Sequence, residues 1–127
     1  MKTAQPLAGC RVLVIEDEYF IAMELAWLLE ANGATVIGPI GNVDDALAQV
    51  IRDGFEIAVV DINLQGALSY ACADELKRQG VPFVFASAYF QKAIPERFSD
   101  VHHWQKPYDQ KAMIEDVRGL CASRVEA

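Results

Sequence analysis

The sequence predicts an α/β protein: five parallel strands in an open, doubly wound sheet with helices on both faces. Three observations predict it. Five short, β-rich apolar runs alternate with helical patterns along the chain, the order that produces parallel strands joined by right-handed crossovers. Most of those runs are continuously apolar rather than alternating, as strands buried on both faces are. The chain also has 127 residues, 53% hydrophobic and 23% charged, enough for one globular domain with its own core.

Taken in order, residues 11–15 (RVLVI) form the first strand. Residues 18–31 follow as a helix, with Ile21, Leu25, Leu28 and Leu29 at i, i+4, i+7 and i+8 as its core stripe and Gly33 beyond its end. Residues 34–38 read as the second strand and 43–52 as the second helix, opened by Asn42 as N-cap and closed near Gly54. The third strand, 57–60, runs four apolar residues straight into Asp61. A helix over 69–78 has Ser69 as N-cap and Gly80 behind it, and 82–86 is the fourth strand. Pro95 limits any helix in 89–98. Residues 101–105 make the fifth strand. The last helix, 108–123, turns Met113, Ile114, Val117, Leu120 and Cys121 toward the core. With no repeat, linker or low-complexity stretch, a single domain over 1–127 is expected, its core spanning about residues 9–123. Only a few residues follow the last helix, so no output domain is expected.

Composition excludes several functions. A formal charge of −7 and a pI near 4.7 argue against nucleic acid, whose phosphates need clustered Lys and Arg. No apolar run is as long as a membrane span, and MKTAQPLAG lacks the hydrophobic segment of a signal peptide. A cytoplasmic location is expected. Cys10, Cys72 and Cys121 are odd in number, widely spaced and without a C-x-x-C pair. They read as three small buried or half-buried thiols in a reducing cytosol, not as a disulfide or a metal site.

In an open parallel sheet, ligands bind beyond the carboxyl ends of the strands. There the first strand delivers Glu16 and Asp17, the third Asp61, the fourth Ser87, and the fifth Lys106 and Pro107. Three carboxylates at one sheet edge raise each other's pKa unless a cation sits among them. Hard oxygen ligands with room for water suit Mg²⁺, and Lys106 and Ser87 add a point charge and a hydroxyl donor. A carboxylate nucleophile beside a divalent ion, a cation and a hydroxyl is equipped for phosphoryl transfer to Asp61.

VLVIEDE, VVDINL, FVFASA and QKPYD, in this order and spacing, resemble the receiver domain of bacterial two-component response regulators over nearly the whole chain. The resemblance implies a flavodoxin-like fold. It implies that Asp61 is the phosphoacceptor, with Glu16, Asp17, Asp61 and the main-chain carbonyl of Asn63 around Mg²⁺ (or Mn²⁺). Ser87 and Lys106 would read the phosphoryl group. EDEYFIAMEL, DINLQG and PFVFASAY are more closely similar to the receiver subfamily named for a Phe-Ala-Thr-Gly-Tyr run. Here that run reads Phe85-Ala86-Ser87-Ala88-Tyr89, with Ser keeping the hydroxyl and Ala stiffening the loop. Such a domain catalyses only its own phosphorylation and dephosphorylation. Its partners would be a histidine kinase or a histidine phosphotransfer domain, with a downstream protein possible, and it would be a monomer or weak homodimer. Asn63 and Tyr89 would overlook the site. His103 stands where many receivers carry a switching Tyr or Phe, three residues before the lysine. As strand neighbours, His102 and His103 point to opposite faces and do not share a metal.

Phe20, Met23 and Trp27 fall outside the core stripe of the first helix, which suggests a docking patch. Phe20 lies one turn from Asp17. In receivers this helix typically meets the kinase's helical phosphotransfer domain, and Pro107, beside the site lysine, is a further candidate for partner contact. Two other readings stay open. A phosphohydrolase with an aspartyl-phosphate intermediate would place a second Asp where Asn63 stands. A flavodoxin-like nucleotide or flavin module would want a Gly- or Ser/Thr-rich phosphate loop where this chain has EDEY.

Overall fold

The computed structural model describes residues 5–87 and 94–125. Its elements, in order, are β1 (Arg11–Ile15), α1 (Tyr19–Ala31), β2 (Thr35–Ile40), α2 (Val43–Arg52), β3 (Ile57–Asp61), β4 (Asn63–Leu64), β5 (Ala67–Leu68), α3 (Tyr70–Gln79), β6 (Phe83–Ser87), a 3₁₀ turn (Glu96–Phe98), β7 (His103–Gln105) and α4 (Gln110–Val125). Five strands form one parallel sheet in the order β2-β1-β3-β6-β7. Chain order reverses beside β1, and the strand ends there make the crevice that the fold offers to a ligand.

Period-two geometry explains the apolar runs. On β1, Val12 and Val14 join Val59, Val84, Trp104, Leu25, Leu29, Met113 and Val117 on the face covered by α1 and α4. Leu13 and Ile15 join Val50, Val60, Leu76, Phe83, Phe85 and Phe98 on the face covered by α2 and α3. A strand between two helical layers has no solvent side, so each position is apolar. Each large side chain so buried contributes about 1.5–3 kcal/mol. The edge strands β2 and β7 are the exceptions: β2 is half-buried or exposed along its length, and on β7 only Trp104 is buried. Gly38 lies on β2 with φ +101°, and a Cβ there would come within 2.7 Å of the Val14 carbonyl, so the register with β1 depends on glycine.

Four expectations need correction. Cys10 and Cys121 are not free thiols: they form a disulfide, with Cα atoms 5.9 Å apart, and Cys72 alone is free, buried in the opposite core. Ser69 stands at the N-cap position of α3, but its side chain makes no capping bond and its Oγ donates to the Asp61 carbonyl at 2.6 Å; Asn42 does cap α2 through its side chain, accepting from Asp45 N at 2.8 Å. The fifth strand begins at His103 rather than Val101. An antiparallel hairpin, β4–β5, occupies a stretch that had been given no element. The 3₁₀ turn after Pro95 is anchored by Phe98, whose ring is buried in the core and flanked by Arg97 and Lys77; Arg97 pairs with Asp74 and Lys77 with Asp100. No helix among the described residues is long and apolar enough to cross a membrane.

Candidate functional site at the strand ends

The parallel register sets the site. Asp61 pairs with Ala86 across β3–β6, and Ser87 with Gln105 across β6–β7. The Ser87 carbonyl accepts from Lys106 N at 2.8 Å, which fixes where the lysine side chain starts. Glu16 follows β1 and is held by its N–H on the Ile40 carbonyl. Carboxylate oxygens of Glu16, Asp17 and Asp61 thereby lie within 4.8 Å of one another.

One cation serves the two buried carboxylates. Lys106 Nζ stands 2.5 Å from Glu16 Oε1 and 3.0 Å from Asp61 Oδ2, its side chain only 7% exposed. The second oxygen of each is held by main chain: Glu16 Oε2 accepts from Glu18 N at 3.0 Å and Asp61 Oδ1 from Asn63 N at 3.1 Å. Asp17 is half-buried, and its Oδ2 accepts from Gln65 N at 2.9 Å. Burial, then the hydrogen bond with Asp61, pushes the Glu16 carboxyl up to about 7 against the pull of Lys106. Burial alone would lower the Lys106 ammonium, but Glu16 and Asp61 together outweigh it and raise it. Three carboxylates against one ammonium leave a surplus of negative charge. That oxygen-only donor set fits a hard divalent cation.

A cavity of about 290 Å³ opens over these groups, lined by Asp17, Glu18, Asp61, Asn63, Gln65, Gly66 and Lys106. Glu16 and Ser87 are buried and are not among the lining residues. Tyr89, expected to overlook the site, lies outside the described residues. Asn63 does border the cavity, its Oδ1 accepting from Gly66 N at 2.9 Å. Two contributors escaped the sequence reading, Ser69 on the Asp61 carbonyl and Gln65 on Asp17. Gly66 between NL and AL is a turn signal, and it was the available clue.

Beside the site, α1 turns an apolar face outward, with Phe20 83% and Trp27 69% exposed and Tyr19 and Met23 also exposed. A second cavity of about 340 Å³ runs between α1 and the start of α4, lined among others by Ile21, Glu24, Leu28, Pro107 and Tyr108. Burial, then the charges of Glu16, Glu24 and Asp61, pushes the Tyr108 phenol up. His102 and His103 do diverge. His102 Nε2 lies 3.2 Å from Asp116 Oδ2, to which Trp104 Nε1 also donates at 2.6 Å. His103 is half-buried, its Nε2 without a hydrogen-bond partner among the described residues and its pKa lowered by burial and by His102.

No family model matches the chain. The sensory transduction protein LytT of Bacillus anthracis is 31% identical over 112 residues, which cover 85% of this chain and 46% of LytT. The chain spans about half the length of the curated relatives it matches. Among solved structures, SdrG of Sphingomonas melonis Fr1 superposes with a TM-score of 0.77 at 34% identity, covering 91% of this chain and 97% of SdrG. The REC domain of the response regulator PhyR from Erythrobacter litoralis superposes at 0.75 with 25% identity, over 92% of this chain and 93% of that domain.

Proposed function

Because the chain belongs to the receiver-domain family of two-component response regulators, we propose that Asp61 is the residue that takes up the phosphoryl group. One observation carries the assignment: Asp61 is the carboxylate that combines burial at a strand end, a bond to Lys106 and a place on the cavity wall. An Asp61 oxygen attacks phosphorus in line with the leaving nitrogen of a phosphohistidine. The P–N bond breaks as the P–O bond forms, and the imidazole leaves with a proton. Asn63 N–H and Lys106 hold the acceptor's two oxygens, so the nucleophile arrives oriented. Lys106, already between Glu16 and Asp61, is placed to follow the charge onto the phosphoryl oxygens, with the Ser87 hydroxyl as a second donor. Glu16, Asp17, Asp61 and the Asn63 carbonyl would hold Mg²⁺ (or Mn²⁺), which when bound neutralises charge on the carboxylates and the phosphoryl group.

The donor in this reading is a histidine kinase or a histidine phosphotransfer domain, seated on the exposed face of α1 around Phe20 and on the neighbouring cavity at Pro107. The deciding experiment is intact-mass spectrometry after incubation with acetyl phosphate and Mg²⁺. The parent protein gains one phosphoryl group, whereas Asp61→Asn stays folded and gains none. Undiminished labelling of Asp61→Asn at the parent rate would overturn the assignment.

A further inference from the structure

Glu16, Asp17 and Asp61 bring six carboxylate oxygens to the candidate cation site, and five of them already have a hydrogen-bond or ion-pair partner. Lys106 and two main-chain N–H groups hold both oxygens of Glu16 and of Asp61. Asp17 differs. Its Oδ2 is held by Gln65 N, 48 residues along the chain, and its Oδ1 has no hydrogen bond among the described residues. The group that holds Asp17 comes from the β4–β5 hairpin, and the hairpin is built to present it. Gln65 has φ +53° and Gly66 φ +86°, the left-handed pair that a two-residue hairpin turn requires. Asn63 Oδ1 closes that turn on Gly66 N. A non-glycine residue in this region costs roughly 1–2 kcal/mol, so the tip persists against its own preference.

Building on the cation site proposed above, we infer that the main-chain N–H of Gln65 is a positioning group for the metal. It fixes Asp17 through one oxygen and leaves the other for the ion. Groups that orient a metal ligand from behind typically change affinity 10–100-fold when removed. The side chain of Gln65 has no part in this, which makes the inference specific.

The test is isothermal titration of Mg²⁺ into the parent protein and three variants. Gln65→Pro deletes the N–H and forbids the positive φ, and should weaken Mg²⁺ binding about 10–100-fold with the circular dichroism spectrum unchanged. Gln65→Ala and Gln65→Gly keep the N–H and should bind within about threefold of the parent, on the same reasoning. Amide hydrogen exchange in the parent supplies a second readout. The Gln65 N–H should be protected without metal and stay protected when Mg²⁺ is bound. A parent that binds no Mg²⁺ removes the cation site and this inference with it. A parent that binds, with a folded Gln65→Pro that binds equally well, removes the inference alone. An equal loss in Gln65→Ala would assign the effect to the side chain, and loss of Gln65 protection on Mg²⁺ binding would show the contact released rather than used. If Gln65→Pro does not fold, the exchange result in the parent decides.

Discussion

Lys106 is one positive charge facing two buried carboxylates, and the third party in that arrangement is a proton. Glu16, raised to about 7 by burial and by Asp61, binds that proton more tightly in the folded chain than in the unfolded one. The folded pKa is the higher of the two, so the resulting stability is full below the ordinary carboxylate pKa and is lost as pH rises through about 7. In metal-free buffer the parent should lose roughly 2–3 kcal/mol relative to Glu16→Gln between pH 5 and pH 8. Urea unfolding of both proteins at the two pH values measures this, and parallel behaviour would show that Glu16 does not carry the proton. At this scale the sequence was legible where charge stood at a strand end: Glu16, Asp17, Asp61 and Lys106 were all visible as residues that a buried strand would not choose. Ser69 was not, because a serine before a helix has an ordinary explanation as a cap, and only the fold brings its hydroxyl to the Asp61 carbonyl.

Among the elements, α1 joins core and surface. Ala22, Leu25, Ala26 and Leu29 face the sheet while Tyr19, Phe20, Met23 and Trp27 face solvent. Large apolar groups on the outer face do nothing for the fold, so Phe20→Ala combined with Trp27→Ala should leave the melting temperature within a few degrees, as exposed substitutions do. The same pair should slow phosphorylation by a cognate kinase at least ~10-fold, the equivalent of about 1.4 kcal/mol of docking. Labelling by acetyl phosphate, which needs no docking, should be unaffected. Equal loss with both donors would place the defect in the site and not on the surface. The helix was readable because apolar residues recur every three to four positions. Its buried stripe, however, runs through Ala22 and Ala26, while Ile21 and Leu28 are only half-buried and line the cavity at Pro107. The β4–β5 hairpin was not read, because two residues per strand give no period to detect.

For the molecule as a whole, the five parallel strands and the two-sided core followed from the alternation of runs, but the cross-link did not. Cysteine spacing in sequence says nothing about residues 111 positions apart. Topology does: each helix returns antiparallel to the strands, so the C-terminal part of α4 comes back to the edge where β1 begins. There Cys121 meets Cys10 within one core. Closing so long a loop restricts the unfolded chain by up to about 4–5 kcal/mol. Reduction, or Cys10→Ser, should therefore lower the melting temperature by on the order of 10–20 °C. Cys72→Ser should keep the full response to reductant. Differential scanning calorimetry with and without reductant checks both, and an unchanged melting temperature would mean that the two thiols are not joined in solution.

The same bond gives the molecule a mechanical character. Pulled by its two ends, an oxidised chain transmits force through Cys10 and Cys121 and around the folded body rather than along the backbone inside it. The 111 Cα-to-Cα steps between them, roughly 390 Å of backbone if drawn straight, stay shielded from the load. Only the segments outside the bond lengthen. Once the sulfurs part, that hidden length becomes available to the pull, and an inextensible knot of polypeptide becomes an ordinary tether.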